Sequence, residues 1–158
     1  MIDKKLLIQS SVAGIFSFIT ILILTILTYK TQYGLFLIAS FGSTMVLLYG
    51  YPESPFAQPK NIIVGHFLTS FVGIIFLNFV HLPIFINIPL AVGFGVMLMI
   101  LFKVTHPPAG GNPIIVIIGS VSYDYLLTPV IVGSIVVILF GIIINKFISV
   151  SYTHLRAH

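Results

Sequence analysis

The sequence has very little charge and no cysteine or tryptophan. Only 6% of its 158 residues are charged, whereas soluble domains carry about 25%. The lack of cysteine excludes disulfides and thiolate metal sites. The net charge of +4 is too small to indicate a nucleic-acid partner, and we expect none. Hydrophobic residues make up 58% of the chain, which indicates an integral membrane protein with the lipid bilayer as its surroundings.

Long uncharged stretches divide the chain into candidate membrane spans. A span needs roughly 20 apolar residues, and the pattern predicts helices over about residues 6–29, 33–50, 61–80, 87–104, 107–122 and 126–145. The first stretch is too long for a signal peptide and lacks its small-residue cleavage site, so we expect a retained helix. We predict one membrane domain over residues 1–150. Residues 151–158 resemble translated sequencing-adapter read-through and are predicted not to be native sequence.

Two short segments, 33–50 and 107–119, carry glycine, proline and small polar residues where an ordinary span carries leucine. If all six segments cross, only Lys30 lies on one side, and Lys4, Lys5, Lys60, Lys103 and Lys146 lie on the other. The positive-inside rule then places both termini in the cytoplasm. We therefore predict an all-α, multi-pass protein of the cell inner (plasma) membrane with six transmembrane helices. The alternative is four spans plus two re-entrant segments.

A repeat supports the six-helix plan. A shift of 68 residues superposes Gly42 on Gly110, Gly65 on Gly133 and Gly73 on Gly141. Chance matching in a sequence rich in isoleucine, valine and glycine is the alternative explanation. Because each unit has an odd number of spans, a true duplication predicts a three-plus-three inverted repeat, as in many secondary transporters. Broken segments in corresponding positions then mark the binding site, here predicted to be for an anion.

The starts of the two short segments supply the candidate binding residues. Paired prolines favour the first turn of a helix, so we expect a helix to begin after His106. Helix N-termini expose free N–H groups and favour anions. The alternative is that the small residues only allow close helix packing. The candidate substrate-binding residues are Gly42, Ser43, Thr44, His106, Pro107, Pro108, Gly110, Gly111 and Asn112.

A second set of polar residues is predicted to form an entrance or coupling site: Gln58, Lys60, Asn61, His66 and Lys103. His66 lies inside a span, where an ionisable group is costly and by default functional. Lys103 can steer anions, although snorkelling toward lipid headgroups also explains it. The histidines lack i, i+4 spacing and the chain has only three carboxylates, so no metal site and no cofactor are predicted. No residue set combines nucleophile, base and orienter, and we therefore expect no enzyme.

Several ordered motifs resemble the HPP family of integral membrane proteins. They are Phe41-Gly42-Ser43, Ser54-Pro55, Ala57-Gln58-Pro59-Lys60-Asn61, Gly65-His66 and His106-Pro107-Pro108-Ala109-Gly110. The resemblance extends from the first helix to Lys146, and only Gly111-Asn112-Pro113 looks more polar and more broken than usual. It implies a small multi-spanning protein of a family associated with nitrite transport across chloroplast and cyanobacterial membranes. Some members carry CBS domains, and this sequence shows none.

The sequence therefore favours a transporter or channel for a small monovalent anion, with nitrite as the implied substrate. One alternative is a non-transporting membrane module that anchors or senses for a partner. A second is a membrane enzyme that uses histidines and a metal. A bundle this small is compatible with a homo-oligomer, but no interface is identifiable in the sequence.

Overall fold

The structure, a computed structural model, describes the backbone of residues 3–156 and the side chains of residues 3–146. All regular secondary structure in this part of the chain is helical and it contains no strand, which confirms the predicted all-α class. The side chains of 151–158, for which we predicted non-native sequence, lie outside the described residues.

Six α-helices follow one another along residues 3–156. They are α1 (Lys4–Lys30), α2 (Ala39–Met45), α3 (Pro59–Phe79), α4 (Ile84–Leu101), α5 (Asn112–Gly119) and α6 (Val132–Arg156). Within the described residues, four helical stretches are long and apolar enough to cross a membrane: Lys4–Lys30, Pro59–Phe79, Ile84–Leu101 and Tyr123–Lys146. The second and fifth helices are short, as the sequence predicts. Helix length alone does not establish six spans, and the inverted repeat stays a prediction.

The local starts and ends of helices differ from the predicted ones for identifiable reasons. Residues Pro107–Gly111 form a 3₁₀ turn, so the proline pair opens this tight turn and α5 begins only at Asn112. A wide π-helical turn, Leu127–Ile131, contains Thr128 in an extended conformation. For this reason α6 begins at Val132, several residues later than the sequence indicates.

The second segment runs antiparallel to α1 over most of its length. Thr28 Oγ1 accepts hydrogen bonds from Phe36 N at 2.9 Å and from Leu37 N at 3.2 Å, and Gln9 Nε2 donates to Gly50 O at 3.3 Å. Gln9 and Thr28 are separated by about 28 Å of helix. The extended residues before α2 (31–38, the lead-in), α2 and the π-helical turn Val46–Gly50 together therefore cover a distance close to the ~30 Å of a hydrocarbon core. Thr28 pairs two backbone N–H groups of the lead-in.

The fifth segment runs parallel to α3. Near its start, Asn61 Nδ2 donates to Thr105 O at 3.2 Å. Farther along, a Cβ added at Gly73 would lie 2.9 Å from Pro113 Cα and from Val116 Cβ. These contacts carry the segment from the first turn of α3 toward its last turns. The short helix α5 thus packs along the much longer helix α3.

Contacts across the bundle repeat at the 68-residue spacing. A Cβ built on Gly65 would lie 3.2 Å from Val104 O, and one built on Gly133 would lie 2.5 Å from Phe36 O. Gly65 and Gly133 are equivalent under the shift, and so are Phe36 and Val104. The extended residues before α2 and the residues before the Pro107–Gly111 turn therefore each pack closely on a glycine of the other half.

A second pair of contacts follows the same rule. Gly73 packs against Val116, with 2.9 Å from an added Cβ to Val116 Cβ, and Gly141 packs against Leu48, with 2.7 Å to its methyl groups. Leu48 and Val116 are again equivalent under the shift. Chance matching of glycines does not produce matching contacts, so these pairs support the predicted duplication.

One buried hydrogen bond joins α1 to the π-helical turn Val46–Gly50. Thr20 Oγ1 and Tyr49 Oη are 2.6 Å apart, and both side chains are buried. We expect Tyr49→Phe to lower the free energy of unfolding by about 1 kcal/mol, because the Thr20 hydroxyl loses its tertiary partner. Thermal unfolding of the purified protein in detergent measures this. Tyr33→Phe is the matched control, since Tyr33 is 81% exposed. Equal losses in both variants would contradict the prediction.

Candidate functional site

Six polar side chains from four parts of the chain meet inside the bundle, where almost none of their surface is exposed. We call this cluster the polar core; its members are Ser40, Thr44, His66, Thr69, His106 and Asn112. Buried polar groups at membrane depth are costly unless they are hydrogen-bonded or functional. The polar core is therefore the candidate site.

Local sequence places each of these side chains. Ser40 and Thr44 are one turn apart on α2 and face the same side. His106 precedes the proline pair in an extended conformation, with φ −135° and ψ 97°, which suits a residue before proline. Gly65 makes room for it, because a Cβ at that position would lie 2.9 Å from His106 Cβ.

Thr44 connects the two histidines. Its Oγ1 lies 3.1 Å from His66 Nε2 and 3.0 Å from His106 Nε2, and the two imidazole centroids are 4.9 Å apart. On the far side of the second ring, His106 Nδ1 lies 2.7 Å from Phe56 O. This arrangement closes α2 against the His-Pro-Pro turn.

Asn112 binds the other end of the cluster. Its Oδ1 accepts a hydrogen bond from Ser40 Oγ at 2.7 Å. Its Nδ2 lies 3.1 Å from His66 Nδ1, 3.2 Å from His66 O and 3.2 Å from Thr69 Oγ1. Through this one amide, α5 is joined to both α2 and α3.

If both imidazoles are neutral, the hydrogen-bond partners determine which nitrogen of each ring carries the hydrogen. A carbonyl only accepts, so His106 Nδ1 carries a hydrogen, and in the neutral ring Nε2 then accepts from Thr44. His66 Nδ1 accepts from the Asn112 amide, so His66 Nε2 donates to Thr44 Oγ1. In this neutral form, the cluster is one directed chain of hydrogen bonds from Asn112 to Phe56.

The polar core contains several hydrogen-bond donors, and none of its six members is acidic. Hydroxyl, amide and imidazole donors converge there, and within residues 3–146 no carboxylate hydrogen-bonds to any of its members. Thr44 already contacts both rings at about hydrogen-bond distance. Any ligand that enters the polar core must therefore replace these bonds.

The structure brings together three of the predicted substrate-binding residues, Thr44, His106 and Asn112, and adds His66, which the sequence placed at the entrance. The remaining predicted residues lie elsewhere. Because α2 turns Ser40 and Thr44 inward, Gly42 and Ser43 are exposed on its outer side. Pro107 is exposed as well, and Pro108, Gly110 and Gly111 are partly buried in the 3₁₀ turn.

The predicted entrance residues mostly support the loops around the polar core. Asn61 Nδ2 donates to Pro55 O at 2.8 Å and to Thr105 O at 3.2 Å, and Gln58 Nε2 donates to Ser54 O at 3.3 Å. Lys60 and Lys103 are exposed at the same end of the bundle. Their charge is available at this end, but neither side chain belongs to the polar core.

Two members of the polar core, Ser40 and Thr69, are absent from the residues selected by sequence. Each lies within one turn of a selected residue: Ser40 four residues before Thr44, and Thr69 three residues after His66. That helical spacing was the available signal. Among the described side chains, no group of three or more His, Asp or Glu is arranged to hold a metal ion.

Comparison with known proteins places the chain in a family. Residues 3–153 match the transmembrane region of HPP proteins. Two transmembrane proteins of Dictyostelium discoideum are similar, at 31% and 33% identity over 83% of this chain. The chain spans about half of their length, 50% and 45% respectively. No solved structure matches. The family match over nearly the whole chain, together with the buried His-Pro-Pro histidine, shows that this protein belongs to the HPP transmembrane family.

Proposed function

We propose that this protein transports a small monovalent anion across the membrane through the polar core. The observation that carries the proposal is the buried convergence of six polar side chains, none of them acidic, where α2 and α5 begin. Ionisable groups buried in a membrane bundle mark substrate and proton paths by default. Short or broken helices at equivalent places of two halves are typical of transporter binding sites.

The directions in which the six segments run support six membrane crossings. The second segment runs antiparallel to α1, and the fifth segment runs parallel to α3. The α6 residue Asn145 donates a hydrogen bond from Nδ2 to Leu48 O at 3.0 Å. With alternating directions, Lys30 lies at one end of the bundle and the other five lysines lie at the opposite end. The positive-inside rule then favours cytoplasmic termini in a plasma membrane.

The size and charge of the polar core restrict which substrates are expected. The polar core is compact, because the Thr44 hydroxyl and two imidazoles whose centroids are 4.9 Å apart pack against one another. A ligand that replaces these contacts is therefore expected to be an anion of a few atoms rather than a large organic acid. With both histidines neutral, the polar core offers donors without a fixed charge. Nitrite is the first anion to test, because the HPP family that the sequence resembles is associated with nitrite transport.

The test is anion uptake into proteoliposomes that contain the purified protein. We expect nitrite uptake above that of empty liposomes, and we expect His66→Ala and His106→Ala each to lower it by about tenfold or more, since each removes a buried hydrogen-bonding partner. His81→Ala is the matched control, because His81 is exposed in the turn between α3 and α4. Both variants are first checked for folding by gel filtration.

Uptake equal to empty liposomes for nitrite, nitrate and formate would refute the transport proposal. Metal analysis of the same preparation separates the enzyme alternative, which requires a stoichiometric metal. Full uptake in both histidine variants would show that the anion does not pass through the polar core.

A further inference from the structure

We propose that the polar core binds one proton together with each anion, so that the protein is a one-to-one, electroneutral proton–anion symporter. This inference rests on the proposed anion transport and specifies its energy source. The carrying observation is the position of Thr44 Oγ1 between the Nε2 atoms of His66 and His106.

Thr44 allows two hydrogen placements in one heavy-atom arrangement. Its hydroxyl oxygen lies 3.1 Å from Ser40 O, in addition to the two imidazole nitrogens. In the neutral cluster the hydroxyl donates to His106 Nε2. When a proton occupies His106 Nε2, the hydroxyl instead donates to Ser40 O and accepts from both rings with its two lone pairs. The added proton is thus satisfied without movement of any heavy atom.

The cluster has room for one proton and not for two. A second proton on His66 Nδ1 would face the Asn112 amide, whose Nδ2 at 3.1 Å is already a donor. Two charged rings would also lie 4.9 Å apart and repel each other. His106 is the better site for the charge, because Phe56 O accepts from its Nδ1 at 2.7 Å.

A proton bound alone would leave a buried positive charge without a partner. The groups that face the two rings are Ser40, Phe41 and Thr44 from α2, Asn112 from α5 and the Phe56 carbonyl. None is charged, and Lys60 on α3 and Lys103 after α4 are exposed. An unpaired buried charge is very costly. A monovalent anion supplies the missing charge, so each ion makes binding of the other favourable.

The step is a balanced transfer. The proton comes from water on one side, binds at His106 Nε2 beside the anion, and returns to water on the other side. No covalent bond of the anion forms or breaks. Because one positive and one negative charge move together, the net charge moved is zero.

The experiment measures initial uptake of nitrite and, in parallel, of nitrate into proteoliposomes with pH gradient and membrane potential set separately. Empty liposomes give the diffusion of neutral nitrous acid, which is subtracted. We expect an acidic exterior at clamped zero potential to raise uptake severalfold. We expect a potential of either sign at equal pH to leave uptake unchanged. An internal pH dye is expected to report one proton taken up for each anion.

Variants of Thr44 and His106 test the role of the proposed proton-binding residues. Thr44→Val removes the switching hydroxyl and is expected to lower pH-driven uptake by about tenfold, whereas Thr44→Ser keeps the hydroxyl and is expected to retain it. Thr25→Val is the matched control, because Thr25 Oγ1 donates only to Ile21 O of its own helix, at 2.7 Å. His106→Gln keeps a polar side chain that cannot hold the proton, and its remaining flux is expected to respond to voltage and not to pH.

The outcomes separate this inference from the transport proposal. Anion uptake that follows voltage and ignores the pH gradient in the wild-type protein would overturn proton coupling and leave anion transport intact. The absence of uptake for every anion tested would overturn both. Because the wild-type measurement decides coupling, the inference remains testable even if a variant fails to fold.

Discussion

Asn112→Asp is expected to abolish anion uptake, by about a hundredfold or more, while the protein still folds. An aspartate would place a carboxylate about 3 Å from His66 Nδ1, where Asn112 Nδ2 now lies at 3.1 Å. This charge would pair permanently with a protonated imidazole and would repel the incoming anion. A carboxylate also only accepts, so the bond to His66 O would be lost, and Thr69 Oγ1 would keep its bond only by donating to the carboxylate instead of to Gly65 O.

The measurement is nitrite uptake into proteoliposomes, with gel filtration and thermal unfolding to show that the variant is folded. Asn78→Asp is the matched control. The Asn78 side chain is exposed near the end of α3 and donates to Ile74 O of its own helix at 2.8 Å. Wild-type uptake by Asn112→Asp would show that the anion does not pass the polar core.

Gly133→Ala is expected to cause the largest loss of stability, about 3 kcal/mol or more in the free energy of unfolding. An added Cβ would lie 2.5 Å from Phe36 O and 2.6 Å from Phe41 Cε2. The first neighbour is backbone that is itself tied to Thr28, so it cannot move aside cheaply. Overpacking at a rigid contact costs in this range.

Thermal unfolding in detergent, read by gel filtration, tests this expectation. The control is Gly93→Ala on α4, where an added Cβ meets nothing within 4 Å. Because alanine is the better helix former by about 1 kcal/mol, this control is expected to be neutral or stabilising. Similar unfolding temperatures for the two variants would show that the second segment does not pack on α6 as described.

Much of the fold could be predicted from periodicity and composition alone. The all-helical class and the two short helices follow from apolar length and from glycine and proline placement. The extended lead-in before α2 could not be predicted, because its backbone is satisfied by Thr28, eight residues away on another element. The late start of α6 likewise depends on a tertiary turn, Leu127–Ile131, and not on local propensity.

The candidate site could be predicted only in part, because its composition depends on helix phase. Thr44, His106 and Asn112 were predictable from residue type. Ser43 and its neighbour Thr44 could not be told apart in this way: because α2 begins at Ala39, Ser43 is exposed and Thr44 is buried. His66 looked like an entrance residue because it lies close to the start of α3. The structure buries it, since α2 and α5 both pack across that turn.

The hydrogen bond from Asn145 to Leu48 joins residues 97 positions apart, and this has a consequence for biogenesis. When a ribosome has delivered the second segment to the membrane, the helix that packs on its Leu48 flank has not yet been synthesised. Until then, the contacts available to the second segment are those with α1, such as the hydrogen bond between Thr20 and Tyr49. Closure of the bundle around Leu48 can therefore occur only after α6 has been synthesised.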